Sequence, residues 1–388
     1  MANTGGSKCA VANTDGSKSA AGRQYIYKKC LAFNPVQLLG SPIFTTTSNS
    51  MENDMKQFAI GMDIGHSRVK VRAGFTRDQS NRISFDIPTV VTPAIQLGND
   101  KTRKDAELDT VQIGSNTFFV GQTALRQVQP DSFTGESADW INTTQHDALL
   151  IAAWRYALDR SGERSRITRV HLVLGLPAKY YNGQRDALKQ RVVKLLAPTL
   201  GPNQTLKVFV QNQAEAPLQW IALKPDGTVN GDKNLENQTL GTIEIGHYTT
   251  DFSYCDRGSM IEQASTSCAG VNTVYTALAA LMTERSIPSN VESVEEVVKH
   301  RKLKGHDLGE LLDRARKPFV ATVVDQARRV FGQKAFLMDS LILAGGGAPL
   351  VLNELRQLFG DKVQIDDDSR MVVAEGFCRV GLLTLLNN

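Results

Sequence analysis

Gly241–Tyr254 reads GTIEIGHYTTDFSY, and Phe58–Ala73 reads FAIGMDIGHSRVKVRA. Each segment is an apolar strand that delivers an acid, Glu244 or Asp63. An isoleucine, a glycine and a histidine follow, and then a second strand begins. In the first segment Gly65 lets backbone amides approach an anion closely, and Ser67 adds a hydroxyl donor beside His66. Lys70 is in reach of a phosphate, and Asp63 stands where a carboxylate would hold a metal-bound water. In the second, Gly246 and His247 lead into the hydroxyls of Thr249 and Thr250. A single acid-x-Gly turn is an ordinary hairpin turn. Two copies about 180 residues apart predict two similar domains facing each other across a phosphate. His66 and His247 lack accompanying Cys or spaced carboxylate ligands, so loop residues describe them better than a metal pair does.

Working outward, a third segment, Ser340–Leu350 (SLILAGGGAPL), is a buried strand ending in Gly345, Gly346 and Gly347. Bare glycine backbone can lie against a flat base or ribose. The run is neither GxGxxG nor GxxxxGK[ST], which excludes the Rossmann and P-loop readings. Strands at Arg169–Gly175 and Leu206–Val210, and helices at Asp147–Leu158, Ala187–Leu196, Val271–Met282, Val294–His300, Glu310–Phe331 and Ala374–Leu386, fill the intervals. Strand pairs alternating with helices predict an α/β fold with mostly buried sheets.

Composition narrows the function classes. The chain has 388 residues with 44 Lys+Arg and 40 Asp+Glu. The first fifty residues carry Lys8, Lys18, Arg23, Lys28 and Lys29 against Asp15 alone, so the body from Met51 is neutral, with 39 of each sign. A nucleic-acid footprint needs basic residues clustered on a folded face, so the net charge gives no reason to expect direct DNA binding. Residues 1–54 are low in complexity, with the near-repeats ANTGGSK and ANTDGSK, and are expected to be a disordered extension. No apolar run approaches the roughly 20 residues that span a bilayer. Five irregularly spaced cysteines support neither a disulfide framework nor a zinc site, which makes a reducing cytoplasm the expected compartment. Asp366–Asp368 reads as a solvated turn, and Lys299–Lys304 (KHRKLK) as a solvated helix end.

The order of the three loops resembles that of the actin-like ATPase superfamily, and within it the ParM/StbA group of plasmid-segregation actins. The resemblance covers Phe58 to Leu386. It includes His171–Tyr181 (HLVLGLPAKYY), Gln211–Pro217 (QNQAEAP), Ser265–Val271 (STSCAGV) and Val373–Leu386 (VAEGFCRVGLLTLL). It implies a two-domain, ribonuclease H-like fold, with residues 55–217 plus 366–388 in domain I and 218–365 in domain II. ATP·Mg²⁺, with GTP left open, would lie between the domains. By the resemblance, Asp63 and Glu244 organise Mg²⁺ through its waters. Gly65, His66, Ser67 and Lys70 hold phosphate from one side, and Gly246, His247, Tyr248 and Thr249 from the other. Gly270 and Gly345–Gly347 line the nucleoside pocket, and Glu215 orients the attacking water. Its bland alternative is a cap on the helix that follows.

The group's implied activity is an ATPase that forms filaments and moves plasmid DNA through a DNA-bound adaptor protein. Two departures stand out. Glu244 replaces the usual Asp, and His247-Tyr248 replaces the usual Gly-Gly. These keep open a scaffold of the cell-division or pilus type with weak hydrolysis. A small-molecule kinase on the same fold lacks a recognisable acceptor-site acid.

Overall fold

The structure, a computed structural model, describes residues 56–76, 78–128, 139–231 and 235–387; the expectation for residues 1–54 lies outside them.

The FAIGMDIGHSRVKVRA segment folds as the predicted hairpin. β1 (Lys56–Ile64) and β2 (Arg68–Phe75) pair antiparallel, with Asp63 opposite Lys70. β3 (Asp78–Pro88) extends this sheet beyond β2. A small antiparallel sheet follows, of β4 (Val91–Pro93), β5 (Thr110–Ile113) and β6 (Asn116–Val120). The sequence patterns had not separated β3 to β6. Two short helices, α1 (Asp100–Asp105) and α2 (Gly121–Val128), flank it. α3 (Thr144–Arg160) covers the first sheet with Leu149, Leu150 and Trp154, all fully buried. Then β7 (Ile167–Leu176), α4 (Ala178–Leu196) and β8 (Thr205–Asn212) complete the order β3-β2-β1-β7-β8, with β1, β7 and β8 parallel.

After α5 (Ala216–Ala222) the chain repeats the plan. β9 (Thr239–Ile245) and β10 (Thr249–Asp256) form a hairpin with Glu244 opposite Asp251. β11 (Ser259–Met260) and β12 (Thr266–Ala269) attach to β10. Helices α6 (Asn272–Glu284) and α7 (Val291–His300) lead to a short hairpin, β13 (Lys302–Leu303) and β14 (His306–Asp307), and then to the long α8 (Gly309–Phe331). β15 (Ser340–Ala344), α9 (Leu352–Phe359) and β16 (Val363–Ile365) close the order β11-β10-β9-β15-β16, with β9, β15 and β16 parallel. β15 is buried along its whole length, as expected for a parallel strand covered on both faces.

The final helix, α10 (Val372–Leu386), returns to the first sheet. Gly61 of β1 makes that docking intimate. A Cβ there would lie 2.2 Å from the Ala374 carbonyl and 2.3 Å from the Cys378 nitrogen, so helix and strand touch backbone to backbone. Glu375 fixes the helix laterally, accepting from Arg82 (2.6 and 2.7 Å) and from Arg379 (2.7 Å). Asp366–Asp368 does form a turn before this helix, but Asp368 pairs with Arg72 (3.3 Å) and Arg370 (3.2 Å) rather than being merely solvated.

Candidate functional site

The two hairpins bend at equivalent residues. Each acid is paired across its hairpin with the residue seven positions later, Lys70 or Asp251. In each, a Cβ on the turn glycine would crowd the carbonyl three residues on: Gly65 at 2.9 Å from Arg68, Gly246 at 3.1 Å from Thr249. The tight turns therefore need glycine for close approach. Thr89 Oγ1 donates to the Gly65 carbonyl (2.7 Å) and pins the first turn.

The turns meet at their tips. The rings of His66 and Tyr248 stand edge to face with centroids 5.1 Å apart. Behind them, His66 lies near Trp140 (6.0 Å), and His247 lies against Tyr248 (4.7 Å) and Tyr275 (5.5 Å). Next to the first turn, Arg68 reaches across to Glu295 on α7 (3.0 Å) while also pairing with Asp86 on β3. Arg68 and Glu295 have no distinguishing sequence motif and were not anticipated.

Beneath the tips is a charged cluster. The buried Asp63 accepts from Lys70 Nζ on Oδ2 (2.9 Å) and from Gln213 Nε2 on Oδ1 (2.7 Å). Burial alone would lower the Lys70 ammonium, but the charges of Asp63 and Glu244 outweigh it and hold its pKa above the ordinary value. Glu244 is pushed up to about 8 by burial, with Asp251 and Asp63 adding to the shift and Lys70 opposing it. Asp251 is itself raised by burial, against a hydrogen bond from Thr249. His247 is lowered to about 4 by burial and by its neighbours His66 and Lys70, so its imidazole is neutral at neutral pH. Lys70 is the cation set between the two acids, and the neutral imidazole offers a phosphate group hydrogen bonding without added charge.

Glu215 lies in the turn Gln213–Glu215 that brings Gln213 to Asp63. It occupies the N-cap position of α5, and its side chain makes no capping hydrogen bond. Asn212 Nδ2 contacts its Oε1 at 3.4 Å. Gln213 and Asp251 were missed by sequence reasoning. Asp251 was legible, since it repeats the seven-residue offset of Lys70.

The glycines differ in what they touch. Gly270 lies directly beneath the second turn, where a Cβ would meet the Thr249 nitrogen at 2.5 Å and the His247 carbonyl at 2.6 Å. Gly345 (φ +90°) and Gly347 press against Ile245, just before that turn, while Gly346 is exposed. Thus Gly270, Gly345 and Gly347 set the shape of the second loop, and Gly346 presents open backbone.

For Mg²⁺, the donor set has one carboxylate on each hairpin. No cluster of three ligating side chains occurs among the described residues. Two carboxylates, Asp63 and Glu244, are a donor set that suits an ion which retains its waters and takes other oxygens from phosphate.

The family model for the N-terminal domain of actin like proteins matches residues 61–214, and that for the C-terminal part of the archaeal actin homologue MreB-like matches residues 242–357. Each contains one of the two turns. The chain belongs to the actin-like proteins. Solved structures agree on the fold of this actin-like chain. A 15-stranded ParM filament from Clostridium botulinum superposes with a TM-score of 0.64 at 18% identity, covering 84% of this chain and 99% of that one. Bacillus thuringiensis ParM with ATP gives 0.56 at 16%, covering 86% and 100%. An archaeal actin homologue gives 0.54 at 15%, covering 82% and 98%. A search of curated proteins finds no match. Among the described residues no helix is long and apolar enough to cross a membrane.

Proposed function

We propose that this actin-like chain is an ATPase that assembles into nucleotide-dependent filaments and segregates or positions plasmid DNA through a DNA-binding adaptor in the cytoplasm. The observation that carries the reading is the pair of opposed acid-Ile-Gly-His turns, with Lys70 set between Asp63 and Glu244. ATP, rather than GTP, is the nucleotide assigned, in keeping with the ATP in the Bacillus thuringiensis ParM structure. The two sheets are assigned to domain I (55–217 and 366–388) and domain II (218–365), with the nucleotide between them.

In this reading the turn amides of Gly65–Ser67 and Gly246–Thr249 hold the phosphates, and Lys70 neutralises the charge that develops on them. Asp63 and Glu244 hold the waters of Mg²⁺, which would supply electrostatic stabilisation of the transferring phosphoryl group. Gln213 keeps Asp63 oriented, and Glu215 orients the attacking water. Catalysis is positioning plus electrostatics, so displacing Glu215 lowers turnover more than binding.

Right-angle light scattering and phosphate release, measured together with ATP·Mg²⁺ for the wild type and Glu215→Ala, test the proposal. The wild type is expected to scatter and to release phosphate. The variant is expected to assemble but to lose at least about 100-fold in turnover, as when a positioned catalytic group is removed. Phosphate transfer to a sugar with no polymer at any concentration would sink it. A second reading, a scaffold with weak hydrolysis, is favoured by Glu244 alone. Its carboxyl, at about 8, is largely protonated at neutral pH and so offers little charge to a metal ion. Polymer without phosphate release would favour that reading.

A further inference from the structure

Among the described residues, a series of aromatic rings runs from one half of the fold to the other through the tips of the two turns. In the first half His146 stands 5.6 Å from Trp140, and Trp140 stands 6.0 Å from His66. His66 meets Tyr248 across the seam at 5.1 Å. Tyr248 leads to His247 (4.7 Å), and His247 to Tyr275 (5.5 Å). Both ends of the series are anchored. Trp140 and His146 are buried, and Tyr275 packs on the apolar cluster of Val90, Phe119, Ala124 and Val291.

The backbone under the two central rings is tied down on each side. Trp140 Nε1 donates to the Ile64 carbonyl (3.5 Å), Thr89 Oγ1 to that of Gly65 (2.7 Å) and the Thr89 amide to that of Ser67 (2.8 Å). Across the seam, the amides of Gly270, Val271 and Asn272 donate to the carbonyls of Tyr248 (2.8 Å), Gly246 (3.0 Å) and His247 (2.7 Å). Beside the rings, Arg68 reaches over to Glu295 (3.0 Å), which Lys299 also approaches (3.7 Å). For the tips to part, the His66 and Tyr248 side chains must rotate or the two halves must separate. Rings standing edge to face at this distance are in van der Waals contact, and a phosphate group cannot pass between them. Holding phosphate by backbone amides calls for no ring at either position, and a glycine in place of Tyr248 would leave the tips open.

We propose that His66 and Tyr248 form a clasp over the phosphate site, which parts to admit a nucleoside triphosphate and again to let it go. The inference rests on the nucleotide-binding part of the proposed function and names the residues that set the rate of exchange. A clasp that closes over both the empty and the filled site slows entry and exit alike, because each waits for the open form. That signature separates it from a binding contact, whose loss speeds exit alone.

Stopped-flow fluorescence with the N-methylanthraniloyl derivative of ATP and Mg²⁺, on the full-length chain, tests the clasp. Tyr248→Ala and His66→Ala remove one ring from each hairpin. Each is expected to raise the association and dissociation rate constants together, about five- to tenfold, the scale of one aromatic pair. Tyr248→Phe keeps the ring and is expected to restore the wild-type rates. The double alanine variant should be no faster than either single one, because the clasp is gone once one ring is gone. Each alanine variant decides by itself, so the failure of one to fold leaves the other as the test. Wild-type rates in a folded alanine variant, a rise in dissociation alone, or additive effects in the double variant overturn the clasp and leave the nucleotide reading standing. A wild type that does not bind the analogue overturns both.

Discussion

At the scale of single residues, Glu244 has the most measurable consequence. Its folded pKa, about 8, lies above the ordinary 4.5 because of burial. A raised carboxyl pKa means the folded chain holds the proton more tightly. The stability this contributes is complete below the unfolded pKa and is lost as pH rises through 8. Glu244→Gln removes that dependence. Thermal melts are expected to coincide below about pH 4.5, with the wild type falling behind the variant progressively toward pH 8. Parallel curves across that range would show that the carboxyl is solvated. The glutamate was visible in the sequence as a departure from Asp, but its burial was not. Nor were the charges that act on it, those of Lys70, Asp251 and Asp63, of which only Asp251 is on the same hairpin. The same limit hid Gln213 and the Arg68–Glu295 bridge, since pairings between residues 150 or 227 positions apart leave no local pattern. The turns were readable because a strand, an acid and a glycine are contiguous.

At the scale of elements, strand β1 and helix α10 are matched through Gly61. Gly61→Ala places a methyl 2.2 Å from the Ala374 carbonyl, against backbone that cannot rotate away. The expected loss is about 3 kcal/mol, at the upper end for overpacking, read as a lower urea midpoint. An unchanged midpoint would mean that the helix slides freely on the sheet. Both elements were legible: β1 from its apolar run, and α10 from helical spacing. The elements that were not, β3 to β6, are rich in Asp, Asn, Ser, Thr and Gln, and owe their position to pairing with β2 and with one another. Tertiary pairing overrides local pattern in such strands.

At the scale of the whole molecule, three buried histidines set a common acid limit. Burial lowers His146 to about 3, and His171 and His247 to about 4, from 6.5. A depressed histidine contributes stability that is fully present above pH 6.5 and is lost as pH falls through its folded value. These residues lie on α3, on β7 and in the second turn, so both halves of the fold take up protons as they open in acid. Stability against pH between 6 and 4 is expected to have a slope about one proton smaller in His171→Gln than in the wild type. An identical slope would show that His171 is already protonated in the folded chain.

The docking of α10 on Gly61 also has a consequence in time. One face of the first sheet is covered by residues 372–386, which a ribosome begins to make about 160 residues after β8 is complete. Throughout that interval Ala59 and Val173, fully buried in the finished fold, have no α10 over them. Domains generally fold as units during synthesis. Here the first half of the chain must wait for the last helix, and a ribosome stalled before residue 372 would display an open apolar sheet for chaperones to hold.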